Sequence, residues 1–174
     1  MIKFLEENQV NLQTITDHLE SSGIEVVKQE VNRNDASVLL VTGAGLNFRI
    51  YFDDQRKFLR FSTFLPLDPS RAYESKLRLI QRFNSELFLA SFSLDKDDDL
   101  LVMYYMSFVQ GINLAQLMKV TIRYAELLEH IVESRNCDGM IKFANDADNN
   151  DDDEVNENSS SNDDIGMPPN TFLN

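Results

Sequence analysis

Asp99–Glu133, DLLVMYYMSFVQGINLAQLMKVTIRYAELLEHIVE, is the stretch that says most about how this chain folds. Between Leu100 and Val109 both alternating sets are apolar: Leu100, Val102, Tyr104, Met106 and Phe108 on one side, Leu101, Met103, Tyr105 and Val109 on the other. A strand with no water-seeking face belongs in the middle of a sheet or beneath a partner. Gly111 to Asn113 then turns the chain into a helix. Asn113 and Gln116 stand three apart like a capping box, and Leu114, Leu117, Met118, Thr121, Ala125, Leu128 and Val132 form one broad apolar stripe that ends near Arg135.

Upstream, Leu12, Ile15 and Leu19 recur at helical spacing behind a cap at Asn8 or Asn11, and Gly23 marks the stop, predicting a first helix over 11–22. Ile24–Val31 is rich in β-branched residues, and Ser37–Val41 continues as strand after a polar break at 32–35. Leu46–Phe52 alternates strictly, so it buries one face only, and Lys57–Leu65 closes a meander. Asp68-Pro69 is a strong helix start, predicting a second helix to about Ser85 with Tyr73, Leu77, Ile80 and Phe83 inward. Leu87–Leu94 and Leu100–Val109 pair as a hairpin across the acidic turn at 95–99. The expected fold is therefore α+β, an antiparallel sheet in the order α-β-β-β-α-β-β-α with helices packed on it.

Charge divides the chain in two. The net charge is −13, and 145–164 holds nine acids and no base; 29 acids less these nine leaves 20 against 16 bases, a net of −4 for the rest. Residues 1–143 read as one α+β domain. Residues 144–174 read as a disordered acidic Asn/Asp-rich tail, since such a composition cannot bury enough surface to offset its ordering entropy, with a short apolar segment near its end. That segment (Ile165, Met167, Phe172, Leu173) is a short motif on a charged spacer, or the tail serves only solubility. The single cysteine, Cys137, excludes an internal disulfide and any cysteine-built zinc site. With no basic leader before an apolar run and no run long enough to span a bilayer, the expectation is a soluble cytoplasmic protein that uses no membrane.

No recognisable constellation for catalysis emerges. Glu126, His130 and Glu133 share a helix face at ligand-like spacing, but such triplets are ordinarily solvated ion-pairing surface, and no nucleophile with a positioned base accompanies His18 or His130. Asp146, Asp148, Asn150, Glu154 and Glu157 fall at calcium-loop positions, yet Asp151 stands where the loop's sharp turn needs glycine. Gly43-Ala44-Gly45 is a bend between strands, since no helix opens after it to receive a phosphate. No metal or cofactor is expected. The net charge and the lack of a basic stripe argue against nucleic acid; Arg71, Lys76, Arg78 and Arg82 of the second helix read as a solvated face, or as a patch for an acidic partner.

This element order, with the Gly111-Ile112-Asn113 turn feeding a Leu-rich final helix, resembles the YbjN family of bacterial proteins over about 11–135. Those are labelled sensory transduction regulators and are similar in fold to the class I chaperones of type III secretion. The resemblance implies a small α+β domain of regulatory character, and its chaperone relatives dimerise and hold extended client segments. Two functions of different class follow. One is a non-enzymatic, chaperone-like or adaptor module, possible also as a homodimer, whose sheet face receives an apolar segment of a protein partner or client. Tyr51, Phe58, Phe64 and Tyr105 are its candidate contacts, because strand positions supply more apolar surface than the helices can cover. The alternative is a small-ligand-binding sensory domain, against which stands the lack of convergent polar core positions.

Overall fold

A computed structural model describes residues 4–31 and 36–143. A short strand β1 (Phe4–Leu5) and a 3-10 turn precede helix α1 (Leu12–Ser21). Four strands follow, β2 (Val26–Val31), β3 (Ala36–Val41), β4 (Asn47–Asp53) and β5 (Phe58–Leu65), then helix α2 (Tyr73–Glu86). The hairpin β6 (Ser91–Leu94) and β7 (Leu100–Ser107), the short β8 (Ile112–Asn113) and helix α3 (Leu114–Ser134) complete the order. Six strands form one antiparallel sheet in the order β2-β3-β4-β5-β7-β6, and β1 pairs with β8 beside it. Ile24–Val41 is thus two antiparallel strands rather than one continued strand, and the sheet has one more strand before α2 than the sequence order gave it.

Local chemistry sets the elements. The Asn11 side chain accepts from Thr14 N while the Thr14 hydroxyl accepts from Asn11 N, a reciprocal cap that satisfies two of the free donors at the start of α1. Asn113 caps α3 by accepting from Ala115 N and Gln116 N. Gly111 holds φ +103°, and a Cβ there would sit 2.3 Å from the Leu5 carbonyl oxygen, so only glycine lets β1 lie against β8.

All three helices cover one face of the sheet. Tyr124 of α3 donates its hydroxyl to the Val102 carbonyl at 2.8 Å and packs its ring on Phe48 and Phe61; burial pushes this phenol's pKa up. Ile15 and Leu19 of α1 join Val38 and Leu40 in the core, and Phe83 of α2 meets Phe92 edge-on at 5.4 Å. Val38, Ile50, Phe61 and Tyr104 form one continuous rung of this covered face.

Two helices depart from their predicted faces. α2 begins at Tyr73, not at Asp68, whose carboxylate closes a turn by accepting from Ser70 N and Oγ and pairs with Lys142 at 3.0 Å. The buried stripe of α2 is Lys76, Leu79 and Phe83, while Tyr73 and Leu77 are exposed, because α2 leans on β6 at the sheet edge and Lys76 reaches the Asp98 carbonyl. In α3 the buried positions include Val120, Tyr124 and Ile131, with Met118, Ala125 and Val132 only partly buried.

Candidate functional site

The opposite face of the sheet has no described element packed on it, and it collects all four candidate contacts. Strand alternation sends Tyr51 of β4, Phe58 and Phe64 of β5 and Tyr105 of β7 to this side. Phe64 and Tyr105 are 53% and 50% exposed, and Tyr51 and Phe58 are half-buried among their neighbours. Phe58 meets Tyr105 edge-on at 6.3 Å, and Leu39, Leu101 and Met103 extend the apolar surface across β3 and β7. The second apolar set of β7, Leu101, Met103 and Tyr105, thus lies on an open face.

A cation stands in the middle of these aromatics. Arg60 is flanked across the strands by Tyr51 on β4 and Tyr105 on β7, and its guanidinium carbon lies 4.3 Å from the Tyr51 ring centroid. Such stacking contributes about 0.5–1 kcal/mol at exposed sites. Arg60 has no ion pair among the described residues, and its Nε is buried without a hydrogen-bond partner, a deficit of about 1–3 kcal/mol for a buried donor. Arg49, one strand away, is already engaged by Glu30 at 2.7 Å. Hydrogen bonds from Lys28 are the main cause that lowers the Glu30 pKa, with Arg49 adding to it.

The edges of the sheet are less suited to recognition. β2 carries a register shift between Val26 and Lys28 and charged side chains, and β6 is four residues long, devices that blunt an edge against added strands. The broad face is therefore the candidate surface.

The remaining sequence candidates are scattered. His18 is half-buried with Nε2 3.2 Å from the Leu114 carbonyl, and Glu126, His130 and Glu133 line the outer side of α3, all three in contact with solvent. Among the described residues no group of three His, Cys, Asp or Glu is placed to hold a metal ion, and no helix is long and apolar enough to cross a membrane. Gly43–Gly45 forms the β3–β4 turn, with Ala44 N donating to the Glu129 carboxylate, and Asp95 closes the β6–β7 turn by accepting from Asp97 N and Asp99 N. Cys137 is an exposed thiol. The calcium-loop match at 146–157 and the tail motif lie outside the described residues. Of the predicted second-helix bases Lys76 is buried, while Arg78 and Arg82 share a cleft on the other side of α2 with Arg71, which precedes the helix. Sequence reasoning missed Arg60 as a site residue; the signal was a lone base among the outward positions Phe58, Ser62 and Phe64 of an aromatic strand.

The family model described as "YbjN: Putative bacterial sensory transduction regulator" matches residues 11–134, from the cap of α1 to the end of α3. The fold is similar to the crystal structure of YbjN, "a putative transcription regulator from E. coli", with 18% identity and a TM-score of 0.61 over 76% of this chain and 96% of that one. It is also similar to an uncharacterized protein from Methanothermobacter thermautotrophicus, at 16% identity and a TM-score of 0.52 over 68% of this chain and 93% of that one. At these identities the two structures bear on fold alone. They agree with the antiparallel α+β reading, whereas the likeness to secretion chaperones remains an implication of the sequence resemblance. No curated protein matches the sequence.

Proposed function

The chain belongs to the YbjN family, and on that premise we propose that it is a non-enzymatic regulatory adaptor that binds a partner polypeptide through the open face of its sheet. The observation that carries this reading is the unpaired Arg60 set between Tyr51 and Tyr105 on a face that no described helix covers. Exposed aromatics supply contact area at low entropic cost, and the cation selects what lands on them. The partner segment presents apolar side chains around a carboxylate, which satisfies Arg60 and adds a charge-assisted bond at the centre of the contact. A second copy of this chain is the weaker fit, because a two-fold contact centred on the same patch sets Arg60 against Arg60.

The test is affinity purification of the full chain beside a chain ending at Phe143 and an Arg60→Glu variant, with mass spectrometry of stoichiometric partners. A polypeptide retained by the first two and lost from the third supports the reading. A partner lost only with 144–174 moves the function to the tail, and recovery of the chain alone contradicts an adaptor role.

A further inference from the structure

Arg71, Ser75, Arg78 and Arg82 follow one another at i, i+4, i+7 and i+11, a single stripe along α2 and its lead-in. This stripe lies opposite the loop after α3, and the two enclose a cleft of about 320 Å³ with Leu79 and Met140 as its apolar floor. That loop supplies Asp138, the only acid among the described residues that line the cleft. Its carboxylate accepts from Arg82 Nη2 at 3.3 Å and its backbone carbonyl from Arg71 Nη2 at 3.2 Å, both long for charge-assisted bonds. Arg71 also shares Asp68 with Lys142, and Arg82 reaches the Arg135 carbonyl at 3.4 Å. Arg78 has no hydrogen bond or ion pair among the described residues. Three guanidiniums thus line a cleft that holds one carboxylate, Asp138, with Arg71 also paired to Asp68 outside the lining, in a chain of net charge −13 where the prevailing field opposes such an accumulation.

We propose that this cleft is a binding site for a small phosphorylated ligand, with Arg71, Arg78 and Arg82 gripping the phosphoryl group, Ser75 adding a hydroxyl donor, and Asp138 occupying the place of the anion when the ligand is absent. Planar guanidinium forks match the oxygen edges of a tetrahedral dianion, and three of them meet more oxygens than a single carboxylate offers. The volume lies at the lower end of the range for small-molecule sites, and the apolar floor suits the body of a small organic phosphate rather than a macromolecular surface. This site is separate from the open sheet face, so either can fail without the other.

The probes are inorganic phosphate and pyrophosphate, titrated by calorimetry into the full-length chain at constant ionic strength, with chloride as control. Pyrophosphate is expected to bind more tightly than phosphate. Arg78→Ala, which breaks no hydrogen bond or ion pair among the described residues, weakens pyrophosphate binding about tenfold, the loss of roughly one charge-assisted contact. Asp138→Asn removes the internal competitor and tightens binding. Absence of binding to the unmodified chain, or binding undiminished by Arg78→Ala, overturns the proposal; Arg60→Glu should leave this titration unchanged.

Discussion

The two faces of the sheet use similar side chains for opposite ends. On the covered face the rung Val38, Ile50, Phe61, Tyr104 is roofed by Tyr124 of α3, whose ring touches Phe61 and whose hydroxyl is satisfied by Val102. One residue along each strand, the rung Ser37, Tyr51, Arg60, Tyr105 has two aromatics as well, yet among the described residues it has no helix above it and its cation has no counterion. Aromatic content alone does not separate core from contact surface. A roof and satisfied polar groups do, and the open rung lacks both.

The contrast breaks most visibly in stability. Phe61→Ala empties a fully buried site and should cost about 3–5 kcal/mol in denaturant unfolding, as large aromatic truncations do; a loss below about 1 kcal/mol would mean the roofed face is not the core. Gly111→Ala puts a Cβ against Leu5 and Phe4 and keeps a positive φ, so about 1–3 kcal/mol of strain is expected, with β1 released from β8 in hydrogen exchange. Tyr124→Phe removes the hydroxyl with its bonds to the Val102 carbonyl and the Thr63 backbone and should cost about 1–2 kcal/mol; an unchanged midpoint would show that this hydroxyl contributes nothing.

Acid tests the seam under α2. Ser70 hydrogen bonds and Lys142 hold the Asp68 carboxyl well below its ordinary value of 3.8. A depressed carboxyl contributes stability above the unfolded-state pKa and loses it as pH falls toward the folded one, so the chain should weaken on acidification below about pH 4. Asp68→Asn should flatten that acid limb, and an identical limb in the variant would assign it elsewhere. Smallest is the effect on stability of Phe64→Ser on the open face, within about 0.5 kcal/mol. The same substitution should abolish or strongly weaken partner capture, the reverse of the pattern at Phe61.

Much of this was legible before the structure. The double alternation of 100–109 marked β7 as an inner strand, paired on both sides by β5 and β6, and Asn11, Gly23 and Asn113 bounded helices correctly because capping is local chemistry. Tyr51, Phe58, Phe64 and Tyr105 came out on one face because period-two alternation fixes facing once strands are aligned. The α2 face was legible only in part: Phe83 and the partly buried Ile80 turn inward as expected, but Tyr73 and Leu77 are exposed because tertiary packing took Leu79 and a snorkelling Lys76 instead. Arg60 showed in the sequence only as a lone base among outward positions; its meaning as a site residue depends on the cross-strand neighbours Tyr51 and Tyr105, which strand pairing alone brings beside it.

On the proposed adaptor reading the open face, and not the helical side, is where a partner docks. Photo-crosslinking residues placed singly at Phe64 and Tyr105, and as controls at Tyr73 and Ile122, compare positions of matched exposure at 53%, 50%, 53% and 48%. Crosslinks to one polypeptide are expected from Phe64 and Tyr105, lost when Arg60→Glu is added, with none from the two controls. Equal crosslinking from all four positions, or from the helical pair alone, would contradict it.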